Sequence, residues 1–230
     1  MYTEGKLKIL GKINTSGIAQ ALLTLDESVW EIDRRRFVNK NFSDTHTLWI
    51  REHRESHDNF LHTIDMLDLY RDCHFIEYWN TLQTQVKRLV NGTDVRSLII
   101  RLAPGNTIHK HIDGNHNVFK YCQRIILPII SNSSPFLFYD DESFVLEDGV
   151  LYDSNGFLPH WAVNNGTSAV YTAIFDILPV DETAVVVQNH PNTPKAWAWL
   201  NENTIKKKHN NKAMEDWKQL LKEEQTRKLG

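Results

Sequence analysis

Ser97-Leu98-Ile99-Ile100-Arg101-Leu102-Ala103-Pro104-Gly105-Asn106-Thr107-Ile108-His109-Lys110-His111-Ile112-Asp113-Gly114 sets the pattern for the second half of the chain. An apolar, β-branched run breaks at Pro104-Gly105, resumes at Thr107 and breaks again at Asp113-Gly114. Runs bounded in this way by Pro, Gly, Asn and Asp read as short strands joined by turns. The spacing predicts strands over 97–102 and 107–112. Further on it predicts strands over 123–130, 136–139, 143–146, 150–152, 161–163 and 169–178. Asn132-Ser133-Ser134-Pro135, Asp148-Gly149, Asn155-Gly156 and Asn165-Gly166 punctuate them. Many short strands at steady spacing point to an antiparallel sandwich or barrel, not to βαβ units.

Upstream the texture is mixed. Residues 6–12 read as a strand, 17–25 as a helix with Thr15 or Ser16 as N-cap, and 45–50 as a strand. The clearest helix is 75–90, where Phe75, Tyr78, Trp79, Leu82, Val86 and Leu89 recur at three- and four-residue steps before Asn91-Gly92. Beyond Pro179 the chain turns polar and then helical, over 193–207 and 211–229. Trp197, Trp199 and Trp217 there read as helical packing or as a lid over a site. Lys206-Lys207-Lys208 reads as a solvated helix end. The division is thus a domain over 1–180, with its core at about 95–180, and a C-terminal extension over 181–230.

The 230 residues suffice for one ordinary domain. Lys+Arg number 26 against 29 Asp+Glu, a formal charge of −3, which argues against nucleic-acid binding driven by overall charge. No apolar run reaches the roughly 18 residues of a membrane span. Met1-Tyr2-Thr3-Glu4-Gly5-Lys6 has no apolar signal core, and Cys73 and Cys122 are too few for a stapled scaffold, so a cytoplasmic, reducing setting is expected. No phosphate loop, dinucleotide fingerprint or Gly-x-Ser-x-Gly elbow is present.

His111 and Asp113 stand two residues apart, and His160 follows 47 positions later. Positions i and i+2 of a strand share a face, so one imidazole and one carboxylate can converge, with a second imidazole from another strand. Two histidines and a carboxylate on one face of ferrous iron leave the opposite positions open for substrate and O2. A closed thiolate set would suit zinc instead. With 11 His and 16 Asp in the chain, about 0.8 His-x-Asp pairs arise by chance. The pair alone therefore reads as a turn-capping Asp beside a surface His, and its surroundings carry the argument.

Those surroundings are Arg101-Leu102-Ala103-Pro104-Gly105 before the pair and Gln123-Arg124-Ile125-Ile126-Leu127-Pro128-Ile129 after it. Glu147-Asp148-Gly149-Val150-Leu151-Tyr152-Asp153 then leads to His160-Trp161-Ala162-Val163-Asn164. This order resembles the double-stranded β-helix oxygenases that depend on iron(II) and 2-oxoglutarate. It is most similar to the aspartyl/asparaginyl β-hydroxylase group, which includes free-proline hydroxylases. Ile9-Leu10-Gly11-Lys12-Ile13 is similar to the opening of proline 3-hydroxylases. The resemblance implies a mainly β, jelly-roll or cupin-like double-stranded β-helix of eight main strands, with flanking N-terminal helices and a C-terminal helical extension. It implies that His111, Asp113 and His160 are the metal-binding and catalytic residues. It also implies Fe(II), 2-oxoglutarate as cosubstrate and O2, in the hydroxylation of a free amino acid or a peptide side chain.

In that group an arginine after the second histidine, often as Arg-x-Ser, pairs with the distal carboxylate of 2-oxoglutarate. Here the matching positions hold Val170 and Thr172, and no basic residue lies between His160 and Pro179. A buried dianion without a cation is severely unfavourable. Arg124 is the substitute, being the one charged residue in a strand that reads apolar on both faces; its fork suits a carboxylate. The resemblance also places an arginine on the strand after the first metal pair. The alternative for Arg124 is an internal ion pair, with Asp140 or Asp176. Arg101 is the second cation considered for the cosubstrate, and Thr172 matches the family's serine as a hydroxyl partner.

Other residues stay open between two readings. Asn115, His116 and Asn117 read as solvent loop or substrate contacts, and Trp161 as a wall of the site or as core. Arg51 reads as a surface charge or a substrate contact. Lys110 should face away from His111, and Lys120 lies in a loop. Two rival functions stand beside the oxygenase: a metal enzyme of the same fold that does not use 2-oxoglutarate, and a non-catalytic binding module.

Overall fold

The computed structural model describes residues 5–32, 42–54, 62–71, 73–113, 122–140, 142–156 and 158–179. Asn115, His116, Asn117 and Lys120 lie outside the described residues. So do the expected helices at 193–207 and 211–229, with Trp197, Trp199, Trp217 and the lysine cluster. Among the described residues no helix is long and apolar enough to cross a membrane.

The element order is β1 (Leu7–Lys12), α1 (Ser16–Leu23), α2 (Glu27–Trp30), β2 (Thr45–Arg54), β3 (His62–Asp65), a 3-10 turn (Leu67–Tyr70) and α3 (Phe75–Val90). Then follow β4 (Gly92–Leu102), β5 (Thr107–His111), β6 (Gln123–Ile130), β7 (Leu137–Tyr139), β8 (Glu142–Phe144), β9 (Val150–Ser154), β10 (His160–Val163) and β11 (Val170–Pro179). Seven strands form a major sheet in the order β1-β9-β6-β11-β4-β2-β3, and four form a minor sheet in the order β5-β10-β7-β8. The strand pairs within both sheets are antiparallel. The minor sheet covers one face of the major sheet and the helices cover the other, the architecture of a double-stranded β-helix.

Strand alternation builds two cores. Ile99, Ile125, Leu127, Ala173 and Phe175 face the helices and pack with Trp79 and Val86 of α3. Leu98, Ile100, Ile126 and Val170 face the minor sheet, among Ile108, Tyr139 and Ala162. β6 is buried on both faces, so it reads apolar throughout. In α3, Phe75, Trp79, Leu82 and Val86 are buried, whereas Tyr78 and Leu89 are exposed. The helix stripe is narrower than the sequence spacing predicted because a single sheet face receives it. The helix ends at Asn91, whose φ of 54° is left-handed. Gly92 follows at once into the sheet, where a Cβ would lie 2.4 Å from the Ile177 Cγ2 atom.

The inward residues of the major sheet fall into rows by strand register. Arg96, Asp176, Arg124 and Ser154 form one row. Trp49, Leu98, Ile174, Ile126 and Tyr152 form the next. Thr47, Ile100, Thr172 and Pro128 form the third, and Thr45, Leu102 and Val170 the fourth. At the fourth row the Asn164 side-chain amide donates to the Leu102 and Ser168 carbonyls, at 2.8 and 2.9 Å, and closes that end of the barrel.

Candidate metal centre

His111 ends β5 and His160 opens β10. The two strands are neighbours, and their register sets His160 opposite His111, with ring centroids 4.4 Å apart. Strand parity was expected to bring Asp113 to the face of His111. The strand stops at His111, and a loop delivers the carboxylate: the Asp113 N–H donates to the Gly156 carbonyl at 2.8 Å. His111 Nε2 lies 3.4 Å from Asp113 Oδ1, and His160 Nε2 lies 3.3 Å from Asp113 Oδ2. One ligand atom from each of the three residues lies within 4.8 Å of the others.

Both imidazoles are held in the same way. His111 Nδ1 is 2.7 Å from the His109 carbonyl, and His160 Nδ1 is 2.9 Å from the Leu158 carbonyl. A carbonyl only accepts, so each Nδ1 carries a proton, and each ring turns its Nε2 toward Asp113. Burial pushes the His160 pKa down to about 4; nearby His111 and Arg124 add to this, against the Leu158 hydrogen bond. The ring is therefore neutral at ordinary pH, the form that ligates metal. Gly156 provides the room: a Cβ there would stand 2.8 Å from Asp113 Oδ2. Two imidazoles and a carboxylate, with space kept around the carboxylate, fit a ferrous ion on donor chemistry.

Asp176 is buried between two arginines in register with it. Arg124 grips it with Nε to Oδ1 at 2.8 Å and Nη2 to Oδ2 at 3.1 Å, and Arg96 Nε reaches Oδ2 at 2.6 Å. Burial pushes the Asp176 pKa up, but the two guanidiniums outweigh it and hold the carboxyl below the usual range. Burial pulls the Arg124 pKa down, against the pull of Asp176. Of the two internal partners left open for Arg124, the structure shows Asp176; Asp140 pairs with Lys110 instead. Arg124 Nη1 also forms an ion pair with Asp113, so this arginine does adjoin the candidate metal ligands.

Thr172 is inward-facing and buried, and its hydroxyl has no hydrogen-bond partner among the described residues. Arg101 is not brought to the site. It alternates with Ile100 and Leu102, so it lies on the helix face, bidentate to Glu27 at 2.7 and 2.8 Å and over the Trp30 ring. Trp161 neither walls the site nor enters the core. Standing next to His160 on β10, it faces outward, stacked on Phe138 with Lys110 over its ring. Arg51 is a half-buried brace, donating to Asp65 Oδ2 and the Asp94 carbonyl. Sequence reasoning missed Arg96, Thr47 and the part played by Gly156, since register and loop approach place all three.

No protein-family model matches the sequence, and no curated protein matches it. Solved structures do. A prolyl hydroxylase from Trichoplax adhaerens, in complex with a hypoxia-inducible-factor oxygen-degradation-domain peptide, is 15% identical. The match covers 79% of this chain and 87% of that one, with a TM-score of 0.50. A Pseudomonas putida prolyl-4-hydroxylase is 10% identical over 76% of this chain and 94% of that one, with a TM-score of 0.44. At such identity the likeness is one of fold, and the Trichoplax match carries it: the chain shares the double-stranded β-helix of an enzyme that hydroxylates prolyl residues.

Proposed function

We propose that the protein is an Fe(II)-dependent dioxygenase that takes a 2-oxo acid cosubstrate, 2-oxoglutarate in the family it resembles, and hydroxylates an amino acid or a peptide side chain. One observation carries this reading: two imidazoles with Nδ1 tied to backbone carbonyls turn both Nε2 atoms toward one carboxylate. His111, Asp113 and His160 hold the iron. When bound, the metal and its 2-oxo acid supply O2 activation. Arg124, its Nη1 paired with Asp113, sets a guanidinium charge beside the site. Asp176, fixed by Arg96, keeps the Arg124 guanidinium in place. The peptide bound by the Trichoplax enzyme supports a peptide side chain as one substrate class.

The test is an anaerobic Fe(II) titration with and without 2-oxoglutarate, following the weak visible charge-transfer band that the resemblance implies. Stoichiometric iron with that band supports the reading. Iron without the band supports a metal enzyme that does not use 2-oxoglutarate, a second reading favoured by Val170 and by the grip of Asp176 on Arg124. Failure to bind iron overturns both.

A further inference from the structure

Strand parity is broken on the strand that carries the first candidate ligand. Ile108 of β5 and Ala162 of β10 are partners in register, and both are buried in the core between the sheets. His160 stands two residues from Ala162 and keeps its face, as alternation requires. His111 stands three residues from Ile108, so an unbroken strand would turn it to the outer face. The register differs between the two strands. Between the pairs His160–His111 and Ala162–Ile108, β10 has one residue, Trp161, and β5 has two, His109 and Lys110. Two residues opposite one make a β-bulge, a feature that re-aims a side chain. This bulge brings the His111 ring to the side of His160.

Both residues of the bulge are tied down. The His109 carbonyl lies 2.7 Å from His111 Nδ1, so the first of them holds the ring itself. The second, Lys110, lies over the outward-facing Trp161, with Nζ 5.4 Å from the ring centroid, and forms an ion pair with Asp140 just past β7. Trp161 stacks in turn on Phe138 of β7, with centroids 5.6 Å apart and planes 11° apart. Lys110 is the chain neighbour of His111, and Trp161 is the chain neighbour of His160. Their contact on the outer face therefore lies back to back with the meeting of the two imidazoles on the inner face. It joins the two strands at the level where both rings must converge.

We propose that Lys110 and Trp161 are positioning residues for the metal centre. Their contact clamps the β5 bulge and thereby holds His111 at the distance from His160 that a shared ion requires. This rests on the reading of His111, Asp113 and His160 as metal ligands.

The experiment titrates the full chain with Co(II) against a fluorescent chelator. It also records the visible ligand-field spectrum of the Co(II) form, which reports ligand geometry, and a thermal melt of the metal-free protein. Lys110→Met keeps the stem and loses the charge. It should weaken Co(II) binding about fivefold, less than the roughly 10–100-fold of a direct partner of a ligating histidine, because solvent reaches both charges of the clamp. The Co(II) spectrum should change with the affinity, and the melting temperature should stay near wild type. Lys110→Arg, whose guanidinium also stacks on aromatic faces, should restore both affinity and spectrum. In a Trp161→Leu background, Lys110→Met should add no further loss, since the clamp is already open. Wild-type affinity and spectrum in Lys110→Met overturn the proposal. So do additive losses in the double variant, and so does an affinity loss that follows the melting temperature and that arginine does not rescue. In each of those outcomes wild type still binds Co(II), and the triad stands. If wild type binds neither Co(II) nor Fe(II), the metal reading and the clamp fall together.

Discussion

On the helix side of β11, Tyr171 packs against Trp30 and Phe175 stacks on Trp79, with ring centroids 5.7 and 5.0 Å apart. On the barrel side of the same strand, Thr172 holds a hydroxyl with no partner among the described residues, and Asp176 holds two guanidiniums. One face is apolar and closed among its own side chains. The other carries buried polar atoms whose partners come from other strands or from outside the chain. Because strand side chains alternate, one ten-residue strand carries an apolar face on one side and buried polar groups on the other. Substitutions should separate the two faces cleanly.

The largest expected effect is on metal binding. His111→Ala and His160→Ala should each abolish stoichiometric Fe(II) binding, since two remaining ligands rarely suffice, while the melting temperature stays close to wild type. Metal content after anaerobic reconstitution, set beside a thermal melt, reads both. Retention of iron by both variants would remove the triad from the argument. Asp113 substitutions should be less absolute, because water or halide can occupy a vacated carboxylate position. Trp79→Ala tests the opposite face. It should cost about 3–5 kcal/mol of stability in denaturant unfolding, with iron binding kept by the folded fraction.

Asp176 sits where the comparison is most exposed, a barrel-side residue whose loss should be read first in stability. Asp176→Asn leaves Arg96 and Arg124 side by side without the carboxylate between them, at a cost of about 3–5 kcal/mol. The folded-state pKa of Asp176 is depressed. Its contribution is therefore present above the unfolded carboxylate value of about 3.9 and is lost as pH falls through the lower folded value. Wild type should lose stability on acidification more steeply than the variant. Parallel acid profiles would show that the two guanidiniums do not depend on this carboxylate.

How much of this was legible in the sequence differs between the faces. β6 falls where its unbroken apolar run placed it, at 123–130, because both of its faces bury apolar side chains. The meeting of His111 and His160 followed from motif order. Arg101 shows a misread parity: flanked by Ile100 and Leu102, it had to face the other way from them, yet it was considered as a second cation for the cosubstrate. The same counting would have turned Trp161 away from His160. The Arg96–Asp176–Arg124 row was beyond reach, since the register of three strands distant in sequence creates it. α2 and β3 are too short to show a period.

Gly156 gives a smaller and more local effect. In Gly156→Ala the new Cβ would lie 2.8 Å from Asp113 Oδ2, so the carboxylate must shift. Loss of a supporting contact at a metal site typically costs 10–100-fold in affinity, and about tenfold is expected here. A competitive titration against a fluorescent chelator measures it. Unchanged affinity would show that Asp113 moves freely and that the Gly156 approach is incidental.

The smallest effect should come from Arg101→Met, which probes the face assignment itself. Arg101 lies on the helix side, bidentate to Glu27 and 4.6 Å from the centre of the Trp30 ring. Glu27 is 78% exposed, so solvent screens the pair. An exposed ion pair is worth about 0.2–1 kcal/mol, and an exposed cation–π contact about 0.5–1 kcal/mol. Methionine keeps most of the apolar stem that covers Trp30. The variant should therefore lower stability by no more than about 1 kcal/mol. Its affinities for iron and for any 2-oxo acid should stay at wild type, because the whole thickness of the major sheet separates Arg101 from His111 and His160. A drop in 2-oxo acid affinity with stability unchanged would mean that Arg101 reaches the barrel interior. It would return a cation to the proposed cosubstrate site, where Val170 supplies none.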